Sequence, residues 1–165
     1  GTMDTPVDYE LLAQQIEALA QADNHWLPVL SNASACLFEA MDNINWAGFY
    51  VVDESTRDQK TPELRLGPFQ GKVACVRIPF GRGVCGTAAA EDKIQLVPDV
   101  HAFPGHIACD AVSRSEVVVP LHCGGRMVGV LDIDSPLLGR FSAHDARGLG
   151  SFVRTLEDCI CWNEC

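Results

Sequence analysis

EVVVPLHCGGRMVGVLDID, residues Glu116 to Asp134, decides the fold class. Two apolar runs, Glu116–His122 and Met127–Asp134, flank the pair Gly124-Gly125, and glycines between such runs are a hairpin signal. Side chains alternate across a strand, so residues two apart share a face. The second run thus places Met127, Gly129, Leu131 and Ile133 on a fully apolar face suited to packing on helices. Val128, Val130, Asp132 and Asp134 share the opposite face, where two carboxylates follow two valines.

Working outward, Ile44–Val52 (INWAGFYVV) reads as a further strand, with weaker ones at Glu63–Leu66, Val73–Ile78 and Ile94–Val97. Pro98 to Ser115 reads as one long loop. Asp8–Gln21 carries Leu12, Ile16 and Leu19 at helical spacing. A second helix runs from Trp26 or Leu27 to Met41, with Pro28 tolerated in its first turn. A short helix follows the glycines of GRGVCGTAAAE. Ser142 is a good N-cap for a last helix carrying Leu149, Phe152, Val153, Leu156 and Ile160. The fold class is therefore α+β: a mostly antiparallel central sheet with N- and C-terminal helices packed on one face.

The 165 residues are 47% hydrophobic and 21% charged, a globular balance. Gly1 and Thr2 ahead of Met3 read as an expression scar, leaving residues 3–165 as a single domain. Twelve Lys and Arg against 22 Asp and Glu give a net charge of −10. Phosphate backbones need a cationic surface, so no nucleic acid is expected as a partner, whereas a small ligand with a positive group is favoured. No apolar run approaches the roughly 20 residues that cross a bilayer, so no membrane association is expected. The acidic start carries no leader pattern, so the expected compartment is the cytoplasm. There the 8 cysteines are thiols rather than a disulfide framework.

Trp46, Gly48 and Tyr50 share a face of the Ile44–Val52 strand, and the glycine leaves room between two rings. Together with Asp132, Asp134 and Glu116, which opens the neighbouring strand, those rings suit an ammonium group. The same spacing also fits rings that merely cover an apolar surface and carboxylates solvated at a strand end.

Cys75 is expected mid-strand. Cys85, in GRGVCGTA, falls at a helix N-terminus, where the dipole favours a thiolate. Cys109 lies in the loop HAFPGHIACDAVSRSE, near His106 and Arg114 in sequence, and long ordered loops tend to be functional. The commoner fate of a cysteine is burial as a small hydrophobe, and Cys109 suits that fate least. Cys36 is expected in the core. Cys159, Cys161 and Cys165 are expected in a fraying tail, although Cys161 and Cys165 would be neighbours on a helix. Paired CxxC motifs, a phosphate-binding GxxxxGK[ST] and a serine elbow are missing, so no metal site is expected.

The runs GPFQGKVACVRIPFGRGVCGTAAA (67–90), VPDVHAFPGHIACDAVSRSEVVVPL (97–121) and GVLDIDSP (129–136) closely resemble the free methionine-(R)-sulfoxide reductases, which are single GAF-domain enzymes. The likeness implies a GAF-like fold and thiol-dependent reduction of free methionine (R)-sulfoxide. Cys109 matches the family's catalytic cysteine, and Cys75 and Cys85 match two that resolve or relay. The family's pocket falls on Trp46, Tyr50, Glu116, Asp132 and Asp134. The likeness further implies carboxylates anchoring the substrate ammonium, Glu116 as the acid, an intramolecular disulfide, thioredoxin as the external reductant and no metal or organic cofactor. Which of Cys75 and Cys85 resolves stays open, as does pairing into a homodimer. Two other readings are a ligand-sensing GAF module without turnover and a thiol-based oxidant sensor.

Overall fold

A computed structural model describes residues 6–106 and 111–162. Asp8 accepts from the Leu11 amide at 3.0 Å and caps helix α1 (Tyr9–Ala20). This helix buries Tyr9, Leu12, Ala13, Ile16 and Ala20. Leu19, expected inside, lies at the edge of that stripe and is 53% exposed. His25 caps α2 (Trp26–Ala40) through Nδ1, which accepts from the Leu27 amide at 3.0 Å. Ser142 caps α4 (Ala143–Cys159) as the sequence predicts, in a reciprocal capping box with Asp145.

The strands are β1 (Trp46–Val52), β2 (Glu63–Gly71), β3 (Arg77–Pro79), β4 (Gln95–Val97), β5 (Ser115–Cys123) and β6 (Arg126–Ser135). They form one sheet in the order β3-β2-β1-β6-β5-β4, with every neighbouring pair antiparallel. The fold is α+β, as read from the Glu116–Asp134 hairpin. Helices α1, α2 and α4 bury Ala47, Phe49, Val117, Val119, Leu131 and Ile133 on one face. The short helix α3 (Gly83–Glu91) covers Trp46, Tyr50, Val118 and Val130 on the other.

Three expectations are corrected here. The Val73–Ile78 strand shrinks to β3, because Val73 and Val76 are 89% and 66% exposed and meet no packing layer. Cys75 therefore precedes the strand rather than sitting within it. Alternation in β6 holds from Gly129 to Asp134 but breaks before it, at a register shift opposite Leu121 and His122. The irregularity turns Val128 into the helix-side core and Met127 toward α3, the reverse of strict alternation.

The tail is also tied down as far as Trp162. The Cys161 amide donates to Asn24 O at 2.8 Å, and the Trp162 ring lies 5.5 Å from that of Trp26. Cys161 stands beyond the end of α4 and is disulfide-bonded. Cys36 is half-buried against the helix-side core, where its thiol reaches Gln15.

Candidate active site

Sheet register assembles the site. Trp46 on β1 faces Asp134 on β6, which faces Glu116 on β5; one step along, Gly48 faces Asp132. Residues opposed in this way share a face, so the aromatic and acidic side chains converge on the side that α3 covers. Trp46, Tyr50, Cys85, Glu116, Asp132 and Asp134 all line one pocket there. Cys109 lies outside the described residues.

The rings form a wall without a gap. Trp46 and Tyr50 stack with centroids 5.7 Å apart, and Phe69 also stacks on Trp46, at 5.2 Å. The space left by Gly48 is taken by Phe69, since a Cβ there would collide with the Phe69 stem. The expectation that something lies between the two rings is therefore replaced by a three-ring platform. Trp46 is fixed from behind, with Nε1 donating to Lys72 O at 3.1 Å.

The acidic cluster lies under α3. Glu116 and Asp132 are buried and Asp134 is half-buried. The Cys85 thiol donates to Glu116 Oε2 at 3.8 Å. Burial, and then the charges of Asp132 and Asp134, push the Glu116 carboxyl well above the usual carboxylate range. Burial also raises Asp132, against hydrogen bonds from Glu116, Cys85 and Asp134 that favour its charged form. Asp132 Oδ1 is buried without a hydrogen-bond partner in the structure. An inward-facing acceptor of that kind is what a ligand's N–H would satisfy.

The same environment corrects the expectation of a thiolate at Cys85. Burial first, and then the charges of Asp132, Glu116 and Asp134, push its thiol well up. These outweigh the favourable position in the first turn of α3, so Cys85 is a buried, proton-bearing free thiol. Cys75, by contrast, is disulfide-bonded.

One thiol and two carboxylate oxygens, from Cys85, Glu116 and Asp132, lie within 4.8 Å of one another. A metal ion would have to displace the protons of the Cys85 thiol and the Glu116 carboxyl, both pushed well up by burial, which disfavours it at neutral pH.

Residues 9–160 match the family described as GAF domain. A protein of Escherichia coli (strain K12) named free methionine-R-sulfoxide reductase is 51% identical over 152 residues, covering 92% of this chain and 88% of its own length. The chain belongs to the free methionine-R-sulfoxide reductase family. The reduced form of the Staphylococcus aureus fRMsr superposes with a TM-score of 0.87 at 46% identity, over 98% of this chain and all of that one. A free methionine-R-sulfoxide reductase from Neisseria meningitidis, solved in complex with its substrate, gives 0.86 at 45% identity, over 96% of this chain and 92% of its own.

Several pocket residues of this reductase-family chain escape a reading based on strand faces. Ile78, Arg82, Val84, His106 and Ser113 also line the cleft. Ile78 comes from the short β3 and Val84 from the first turn of α3, while Arg82 lies in the turn between them and His106 and Ser113 in the loop before β5, where no period governs direction. The two segments meet because the Gly83 amide donates to Gly105 O at 3.1 Å. Asn45 Nδ2 holds the Ser113 hydroxyl at 3.1 Å. Phe69 was within reach, because a glycine in a paired strand marks a close cross-strand approach.

Proposed function

We propose that the chain reduces free L-methionine (R)-S-oxide to L-methionine by thiol chemistry. One observation carries the reading: an aromatic platform and three carboxyls share a covered pocket in a chain of this family. The acids take the substrate's α-ammonium, which a methionine within a polypeptide lacks. Trp46 and Tyr50 take the sulfur end and its methyl group.

The Cys109 thiolate attacks the sulfoxide sulfur while Glu116 gives its proton to the sulfoxide oxygen. The raised pKa of Glu116 supports that role, because a general acid must hold its proton at working pH. Methionine leaves and Cys109 becomes a sulfenic acid. A second thiol condenses with it, expelling water and forming an intramolecular disulfide. Cys75 is the better resolver, since it is already engaged in a disulfide while Cys85 is buried and hydrogen-bonded to Glu116. Thioredoxin restores both thiols by exchange. The scheme needs neither a metal nor an organic cofactor.

Among the described residues, no helix is long and apolar enough to cross a membrane. The proposed setting is the cytoplasm, where thioredoxin is kept reduced and where repair of oxidised methionine answers oxidative stress. A homodimer is compatible with this scheme.

The test is to supply each epimer of free methionine sulfoxide with thioredoxin, thioredoxin reductase and NADPH. Loss of the R epimer alone, with stoichiometric NADPH oxidation, is the expected result. Consumption of neither epimer would leave the sensing readings in possession of the pocket.

A further inference from the structure

Arg82 stands at the N-cap of α3 and lines the pocket. It is the one fixed cation among the described residues of that lining. His106, also in the lining, has its ring pKa lowered by burial and then by His101, so it is uncharged at pH 7. Five arginines elsewhere are engaged: Arg57 and Arg126 on Glu54, Arg65 and Arg77 on Asp53, and Arg140 on Asp145. Among the described residues Arg82 has no ion pair and no side-chain hydrogen bond, although three carboxyl groups line the same pocket.

That separation of charge has a chemical reading. The acids lie on the sheet beneath α3, and Arg82 stands in the turn that enters it, in the lining of the same pocket. A ligand anion placed among Glu116, Asp132 and Asp134 would be repelled. A ligand carrying both charges satisfies the two ends at once. The first turn of α3 adds to the same preference, because it carries no acidic residue and its N-cap side chain does not bond back to it. Other polar groups of the lining are already engaged: Trp46 Nε1 on Lys72 O and Ser113 on Asn45.

We propose that Arg82 receives the α-carboxylate of the substrate and makes the pocket selective for the free zwitterion. The inference rests on the substrate reading above and assigns the end of the amino acid that the acids cannot hold. A guanidinium suits the task, since its planar fork matches a carboxylate with two parallel N–H···O bonds. Arg82 is exposed and its contacts with the fold, to Pro79 O and from the Gly86 amide, are made by its backbone, so replacing its side chain should leave the protein folded. Selectivity is then double: a peptide-bound methionine sulfoxide offers neither free charge, and an amide offers only the ammonium.

The experiment compares wild type, R82Q and R82K on free methionine (R)-sulfoxide and on its α-carboxamide. Calorimetric binding of L-methionine and L-methioninamide to each protein runs in parallel. R82Q should raise KM for the free acid about tenfold or more, the scale of one charge-assisted pair, with kcat little changed. KM for the amide should stay within about twofold, and R82K should recover part of the loss. Methionine affinity should fall by the same factor as KM rises, with methioninamide unaffected. An unchanged KM for the acid in R82Q, or an equal penalty on acid and amide, would overturn the assignment. Should wild type turn over neither substrate, the reductase reading fails. Calorimetry then decides Arg82 alone, by whether R82Q weakens methionine and spares methioninamide.

Discussion

The Cys85 thiol lies 3.8 Å from Glu116 Oε2, beneath the first turn of α3. Both groups are pushed toward their protonated forms by the same causes, burial first and then the neighbouring aspartates. The pair is thus a store of protons rather than a source of nucleophile. In the proposed reaction it supplies the proton that the sulfoxide oxygen needs, and this divides the labour among the cysteines.

Glu116→Gln keeps the shape and removes the proton. Its kcat should fall by about 10²–10⁴, the usual range for loss of a general acid, with a smaller change in KM. The pH profile gives the sign. A carboxyl with a raised pKa is competent below that pKa, so wild-type kcat should decline as pH rises through it. The variant should lack that alkaline limb. A loss confined to KM would place Glu116 among the anchoring groups instead.

The cysteines separate in a single-turnover experiment. Cys75→Ser should release about one methionine per site and then stall with thioredoxin, because the sulfenic acid lacks its partner. Cys85→Ala should keep cycling with thioredoxin, because its thiol is buried and protonated rather than nucleophilic. In native protein Cys85 should also resist iodoacetamide, as read by mass spectrometry of the labelled peptides. Normal cycling by Cys75→Ser together with stalling by Cys85→Ala would exchange the two roles.

Gly48→Ala tests the aromatic platform. The added Cβ would stand 2.7 Å from Phe69 Cα and 2.9 Å from Pro68 O, both backbone, so no side chain can swing aside to admit it. Overpacking of this kind costs about 1–3 kcal/mol. The urea midpoint should drop while the slope is kept, and KM should rise as the Trp46–Phe69 stack is displaced. A variant as stable as wild type would show that β1 and β2 can part at this point.

What the residues revealed in advance follows from period. The pairing of Trp46 with Tyr50 and of Asp132 with Asp134 needed only alternation, and the hairpin supplied the neighbour that brings in Glu116. Alternation gave out where backbone geometry changes: at the irregularity that reverses Met127 and Val128, and in the Val73–Val76 run, which has apolar residues but no layer to bury them. Arg82, His106 and Ser113 lie in turns whose direction depends on tertiary contacts such as Gly83 to Gly105. The thiolate expected at Cys85 failed for a related reason: a helix N-terminus is visible in sequence, whereas three acids folded beneath it belong to the sheet register.

His122 offers a last test, of the frame around the site. Its Nε2 lies 2.6 Å from Asp92 Oδ1 and its Nδ1 lies 3.0 Å from Glu157 Oε2. Asp92 ends α3 in a left-handed conformation and Glu157 belongs to α4, so one ring at the end of β5 clamps helices from opposite faces of the sheet. Burial alone would lower the ring's pKa, but the hydrogen bonds and charges of Asp92 and Glu157 outweigh it and raise the pKa above 6.5. A raised folded-state pKa contributes stability fully below the unfolded value and loses it as pH rises through the folded one. The ring is about a third exposed, so screening limits the gain to about 1 kcal/mol or less, equivalent to some 2–4 °C in Tm at most. The Tm gap between wild type and His122→Gln should therefore be widest near pH 6 and shrink toward pH 9. A gap that is flat across that range would mean the ring holds the helices by packing and neutral hydrogen bonds alone.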